Sequence, residues 1–193
     1  MATHLASLYD RLGPPVKGVP PPVLTTGRLV LRPLRRSDAG PVELHCGEAR
    51  LARMTASIPH PYPPGAALAF IEGCATMDQS AVWAIDGSPS GLPELVGTVG
   101  LRRPDGAGES EIGYWVAPPL WGRGIAGEAV RTVLQADPFG APIHARVFRD
   151  NPASARVLEA AGFERVGEGS DFSVARGEAA PNWLFVLPTR DAA

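Results

Sequence analysis

Lysine is almost missing from this chain. Of its eighteen Lys and Arg residues, one is a lysine, Lys17. A phosphate loop of the form Gly-x-x-x-x-Gly-Lys-Ser/Thr needs a lysine at the phosphates, so that class is excluded. Cysteine is scarce too, with Cys46 and Cys74 alone. No Cys/His grouping has zinc spacing, and no metal is expected. The two cysteines read as reduced thiols filling helix interiors of a cytoplasmic protein. An excess of charge is also missing: the formal net charge of −2 offers no general attraction to nucleic acid or to an anionic membrane. No run of roughly 18 apolar residues exists to span a bilayer. The N-terminus lacks the basic region and apolar run of a signal peptide.

What is present is enough for one full domain. The chain has 193 residues, 45% of them hydrophobic, which suffices to bury a single core. Residues 1–22 stand apart. Leu5, Leu8, Tyr9 and Leu12 recur at helical spacing, and Pro14-Pro15 and Pro20-Pro21-Pro22 stiffen the rest of the segment. This predicts a short helix on a linker, available to dock on its own domain or on a second copy in a homodimer; a frayed terminus fits the same residues.

Residues 23–193 read as one domain of the α/β (α+β) class. Strands are predicted over 28–34, 81–85, 95–101, 111–116, 143–148, 164–172 and 183–187, with turns at 104–108 and 137–140. A helix is expected to open at Ser37 or Asp38, a second to span 48–54, and a third to span 66–77 with Leu68, Phe70 and Ile71 inward. The rigid proline-rich loop at 58–65 offers His60 and Tyr62 to an acceptor pocket, or is a plain turn. Asn151 and Pro152 have the chemistry of a helix start and Gly162 that of a helix end, with Ala153, Val157, Leu158 and Ala161 as the buried stripe.

The most informative stretch is Glu111 to Val130. Glu111, Gly113 and Trp115 alternate with Ile112, Tyr114 and Val116, as in a strand. Pro118-Pro119 ends the pairing. Gly122, Gly124 and Gly127 then crowd the start of a helix with an apolar face at Ile125, Ala126, Ala129, Val130, Val133 and Leu134. A glycine turn at a helix start leaves backbone N–H groups without intrahelical acceptors. Together with the helix dipole and Arg123, those donors suit a phosphate or pyrophosphate. A tight connection with no ligand would use the same glycines.

Three blocks in order resemble the GCN5-related N-acetyltransferases, and within them the ribosomal-protein N-terminal acetyltransferase branch. They are Thr26-Gly27-Arg28-Leu29-Val30-Leu31-Arg32-Pro33, then Glu111-Ile112-Gly113-Tyr114-Trp115-Val116 with Trp121-Gly122-Arg123-Gly124-Ile125-Ala126, then Asn151-Pro152-Ala153-Ser154 through Gly162-Phe163. The likeness covers about residues 25–188. It implies the GNAT fold, a mixed, mostly antiparallel sheet of six to seven strands flanked by helices, with two central strands splayed apart.

The resemblance further implies acetyl-CoA as cosubstrate and direct transfer of its acetyl group to an amine. The pyrophosphate would sit on backbone amides of Gly122, Arg123, Gly124, Ile125, Ala126 and Gly127. Trp121 stands where the family's loop has Gln or Arg, so its side chain is not expected to contribute. The pantetheine arm would pair with backbone at Trp115, Val116 and Ala117, near Asn151. Glu111 occupies the position of a family general base, with a pKa expected to rise in a partly dry cleft; a surface glutamate or an acceptor-binding anion would also look like this. Ser154 stands where a hydroxyl can serve the leaving sulfur, or only the first turn of its helix. The acceptor implied is a protein N-terminal α-amine or a small molecule such as an aminoglycoside or polyamine. A non-catalytic acyl-CoA sensor or scaffold would need the glycine turn but neither Glu111 nor Ser154.

Overall fold

The computed structural model describes residues 20–77, 80–102, 109–136 and 142–188. The expected N-terminal helix and the turns at 104–108 and 137–140 lie outside these residues. The strands are β1 (Leu24–Thr25), β2 (Val30–Pro33), β3 (Ser80–Asp86), β4 (Gly97–Arg102), β5 (Ser110–Val116), β6 (Ile143–Phe148), β7 (Glu164–Ser173) and β8 (Glu178–Leu187). The helices are α1 (Ala39–Cys46), α2 (Ala49–Ala52), α3 (Ala66–Thr76), α4 (Ile125–Ala136) and α5 (Pro152–Ala160).

The strands form one sheet in the order β1-β2-β3-β4-β5-β6-β8-β7, antiparallel throughout except between β5 and β6. That pair is joined through α4, the crossover a parallel connection requires. Eight strands replace the expected six to seven. The addition is β1, whose two residues pair with Leu31 and Val30; two residues are too few for an alternation to register. The predicted 48–54 helix is only four residues long, ending at Ala52.

The two faces of the sheet carry separate cores. Trp83, Ile85, Ile112 and Val116 pack with Ile125, Val130 and Val133 of α4 and Leu158 of α5. Ala84 packs on the opposite face with Val42 and Cys46 of α1 and Ala67 of α3, joined by Trp115. In α3 the buried residues are Ala67 and Ile71, while Leu68 and Phe70 are half-buried. In α5 they are Ala155 and Leu158, and Ala153 is exposed. The expected stripe is thus displaced at its first position, because the N-terminal turn of α5 lies over an open cleft rather than over the sheet. Both cysteines are free, and burial pushes Cys46 to about 12 and Cys74 to about 11. No helix among the described residues is long and apolar enough to cross a membrane.

A buried ionic cluster fixes the first long strand. Arg32 reaches Asp38 at 2.8 Å and Asp86 at 3.0 Å, and all three residues are less than 10% exposed. Burial acts to raise the Asp86 pKa, but hydrogen bonds from Ser88 and Arg32 outweigh it and hold it below the usual value. Its contribution to stability is therefore present above the ordinary carboxyl pKa and lost as pH falls through the folded value. Arg32→Met would strand two buried carboxylates. The expected cost is about 3–5 kcal/mol, read from the denaturant midpoint at neutral pH.

Candidate active site

The sheet opens between β5 and β6. Their register holds only at Ser110↔Ile143 and Glu111↔His144. Two flanking bonds settle which way the backbone of β5 points. The Ser110 amide donates to the Pro142 carbonyl, on the β6 side. The Ala117 amide donates to the Val96 carbonyl, on the β4 side. Strand alternation then directs the amides of Ile112, Tyr114 and Val116 toward β6, the last two beyond the paired register and so into the gap, and those of Trp115 and Ala117 toward β4. Gly97 confirms the latter direction: a Cβ there would lie 2.2 Å from the Trp115 carbonyl oxygen. Of the three expected backbone partners for an inserted arm, only Val116 faces the gap. Trp115 and Ala117 use their backbone groups inside the sheet.

The gap leads into the glycine turn. Gly122 and Gly124 adopt φ of +76° and +75°, the left-handed region that favours glycine. The Glu128 amide donates to the Gly124 carbonyl as the first bond of α4. The amides of Ile125, Ala126 and Gly127 precede it and have no carbonyl within the helix to bond. Gly127 lies inside the helix rather than in the turn, beside the Arg131 guanidinium. Ile125 points its side chain into the core, so it can offer a ligand only its amide.

The block Thr26-Gly27-Arg28 proves to be the clamp on this turn. The Thr26 hydroxyl donates to Glu128 at 2.5 Å, and Arg28 bonds the other Glu128 oxygen through Nε at 2.9 Å and through its terminal nitrogen at 2.6 Å. Arg28 also touches the Arg123 carbonyl at 3.4 Å. Trp121 has a role that sequence reasoning withheld from it. Its Nε1 donates to the Val116 carbonyl at 2.6 Å, and Arg50 lies over its ring at 5.7 Å. The indole thereby takes the last acceptor on the open edge of β5.

Side chains divide across the two faces of β5. On the face of α5, the Tyr114 hydroxyl lies 2.8 Å from Ser154 Oγ and donates to the Ser154 carbonyl at 3.1 Å. Burial raises the Tyr114 pKa to about 12, against the opposing hydrogen bond to Ser154. The phenol therefore stays protonated. Asn151 is the cap it was expected to be, its Oδ1 accepting from the Ser154 amide at 3.2 Å. This fixes the serine's backbone and leaves its hydroxyl facing the cleft with Tyr114. The strand alternation located Tyr114, but its partner lies 40 residues away and carried no local signal.

On the other face stand Glu111, Gly113 and Trp115. Glu111 is held by Arg102 at 2.6 Å and Arg146 at 3.0 Å. Arg146 continues to Asp171 at 2.8 Å, and Asn182 donates to Asp171 at 2.6 Å. Burial acts to raise the Glu111 pKa, but the two guanidinium groups outweigh it and the net shift is downward. The expected upward shift is therefore corrected, because desolvation was counted without the arginines that tertiary structure supplies.

The gap, the turn and both faces open into one cleft of about 1320 Å³. It is lined by Glu111, Ser154, Asn151 and the whole of Trp115–Val116 and Gly122–Gly127, but not by Ala117. Tyr62 lines it as well, whereas His60 does not. No cluster of potential metal ligands occurs among the described residues.

A sheet splayed beside a glycine turn at a helix start offers room between two strands for an extended, phosphate-bearing ligand. Comparison with known proteins gives the chain its family. Residues 28–164 match the acetyltransferase (GNAT) domain. The uncharacterized N-acetyltransferase YoaA of Bacillus subtilis is 30% identical over 154 residues, covering 76% of this chain and 85% of that protein. The uncharacterized N-acetyltransferase p20 of Bacillus licheniformis is 31% identical over 107 residues, spanning 52% of this chain and 58% of its own length. Among solved structures, Mycobacterium smegmatis RimJ, in complex with CoA-disulfide, superposes with a TM-score of 0.73 at 21% identity, over 92% of each chain. The ribosomal-protein-S5-alanine acetyltransferase of Vibrio fischeri superposes with a TM-score of 0.70 at 20% identity, over 90% of this chain and all of that one. The chain belongs to the GNAT acetyltransferase family. It is an acetyltransferase with acetyl-CoA as its donor and an amine as its acceptor.

Proposed function

We propose that the acetyl group passes directly from acetyl-CoA to the amine within this cleft, and that protein N-terminal α-amines are the acceptors. The observation that carries the reading is the opening between β5 and β6, which places free strand amides, the glycine turn, Ser154 and Glu111 around one space. The likeness to an S5-alanine acetyltransferase supports the acceptor and the ribosomal-protein branch. A small-molecule amine is the other acceptor compatible with the same chemistry. The two free thiols and the nature of the donor support a cytoplasmic setting.

In this mechanism the amides of Ile125, Ala126 and Gly127, with Arg123 and Arg131, hold the pyrophosphate. The arm lies along β5 as an added strand would, meeting the amides of Tyr114 and Val116. The Val116 amide is placed to polarise the thioester carbonyl. The amine nitrogen attacks the carbonyl carbon, the carbon–sulfur bond breaks, and the thiolate leaves toward the Ser154 hydroxyl. Holding both reactants in one cleft supplies much of the rate.

The proton lost by the nitrogen goes to Glu111, through water. Its depressed pKa keeps it in the accepting form throughout neutral pH, at some loss of basicity. The pH profile should therefore carry no Glu111 limb at or above the ordinary carboxylate range; the rise near neutrality belongs to the acceptor, since only the neutral amine attacks. Glu111→Gln should leave coenzyme A affinity unchanged and lower kcat about ten- to a hundred-fold. Equal turnover in the two proteins would remove the base from the mechanism.

A further inference from the structure

The acceptor half of the cleft narrows the chemistry of the amine. On the sheet face shared by Glu111 and Trp115, Gly100 of β4 pairs with Gly113 of β5, and Val82 of β3 pairs with Gly100. The sheet is bare at Gly113 alone, since Val82 leans over Gly100: a Cβ there would meet Val82 Cγ2 at 3.1 Å. A Cβ at Gly113 would meet nothing within 4 Å among the described residues. Met54, Ile58, Tyr62 and Phe70, all half-buried, form an apolar wall of the same cleft. The turn between β7 and β8 pins that wall: Ser173 Oγ donates to the Thr55 carbonyl at 3.3 Å, the Val174 amide to Ala56 at 2.9 Å, and Arg176 Nε to the Arg53 carbonyl at 3.1 Å.

The carboxylates of the cleft are already matched. Among the described residues its carboxylates are Glu111, Asp150 and Asp171. Glu111 is paired with Arg102 and Arg146, Asp171 with Arg146, and Asp150 with Arg176 at 2.9 Å. A second ammonium on the acceptor would approach Arg102 and Arg146 and find no unpaired carboxylate to receive it.

We propose that the acceptor is a monoamine with an uncharged apolar group next to its nitrogen, that this group sits over Gly113 beside Val82 and against the apolar wall, and that polycationic amines are refused. Gly113 sets the size of the group admitted. The proposal rests on the acetyl-transfer reading and goes beyond it, since that chemistry alone would accept spermidine or kanamycin equally well.

The test is kcat/KM for phenylalaninamide, leucinamide, glycinamide, spermidine and kanamycin, with acetyl-CoA binding measured alongside. The two apolar amides should exceed glycinamide about ten-fold, and the polycations should fall at or below it. Gly113→Val should lower phenylalaninamide turnover about ten-fold more than glycinamide turnover, with acetyl-CoA affinity unchanged. Efficient acetylation of spermidine, or an equal loss for all amines in the valine variant, overturns the acceptor class while acetyl transfer stands. Intact acetyl-CoA binding with no amine acetylated overturns both.

Discussion

Gly124→Glu abolishes coenzyme A binding, with a loss in affinity of at least about a hundred-fold. Two effects act in the same direction. Gly124 has φ of +75°, where an L side chain is strained, and it immediately precedes the free amides of α4. A carboxylate there would compete with the pyrophosphate for the same donors and repel it. The turn is exposed, and among the described residues the only atom near a Cβ at Gly124 is an Arg28 nitrogen at 3.7 Å, so the fold has room for the new side chain. Titration calorimetry with coenzyme A, together with a thermal melt close to that of the parent protein, checks this. Undiminished affinity would remove the turn from the binding site.

Ser154→Ala is the second large effect, a fall in kcat of about a hundred-fold with little change in KM for acetyl-CoA. The scale is that of losing one hydrogen-bond donor aimed at developing charge. The hydroxyl has one neighbour of its own kind, Tyr114 at 2.8 Å, and the phenol stays protonated at working pH. The one phenol proton is shared between the Ser154 carbonyl and Ser154 Oγ, which turns the serine proton outward to the departing sulfur. Tyr114→Phe should then cost about ten-fold in kcat on its own and nothing further in a Ser154→Ala background. An equal cost of the tyrosine change in both backgrounds would mean that Tyr114 contributes to packing alone.

Much of the structure around the glycine turn of the candidate site was legible in the chain because it is local. The glycine spacing, the apolar stripe of α4 and the Asn151-Pro152 start of α5 each rest on neighbouring residues, and the strand predicted at 143–148 has those bounds in the fold. The chemical half was less legible because it is assembled from distant pieces. Glu111 acquires its state from Arg146, 35 residues on, and the Tyr114–Ser154 contact joins β5 to α5. Which backbone groups of β5 face the gap depends on the Ala117–Val96 bond, and strand alternation alone leaves both directions open. The indole of Trp121 cannot replace a Gln or Arg on a phosphate; its hydrogen bond to the preceding strand serves a different end, which no local pattern signals. The block at Thr26–Arg28 read as part of an opening strand, and its service as a clamp on Glu128 appears only in three dimensions.

The most direct measurement tracks free thiol and acetylated product together, mixing the protein with acetyl-CoA and a peptide bearing either a free or a blocked N-terminal amine. Thiol release matched one-to-one by acetylated peptide, dependent on the free α-amine and lost in Gly124→Glu, is the expected result. Tight coenzyme A binding with no thiol released above the uncatalysed rate would contradict acetyl transfer and leave a protein that binds the cofactor without using it.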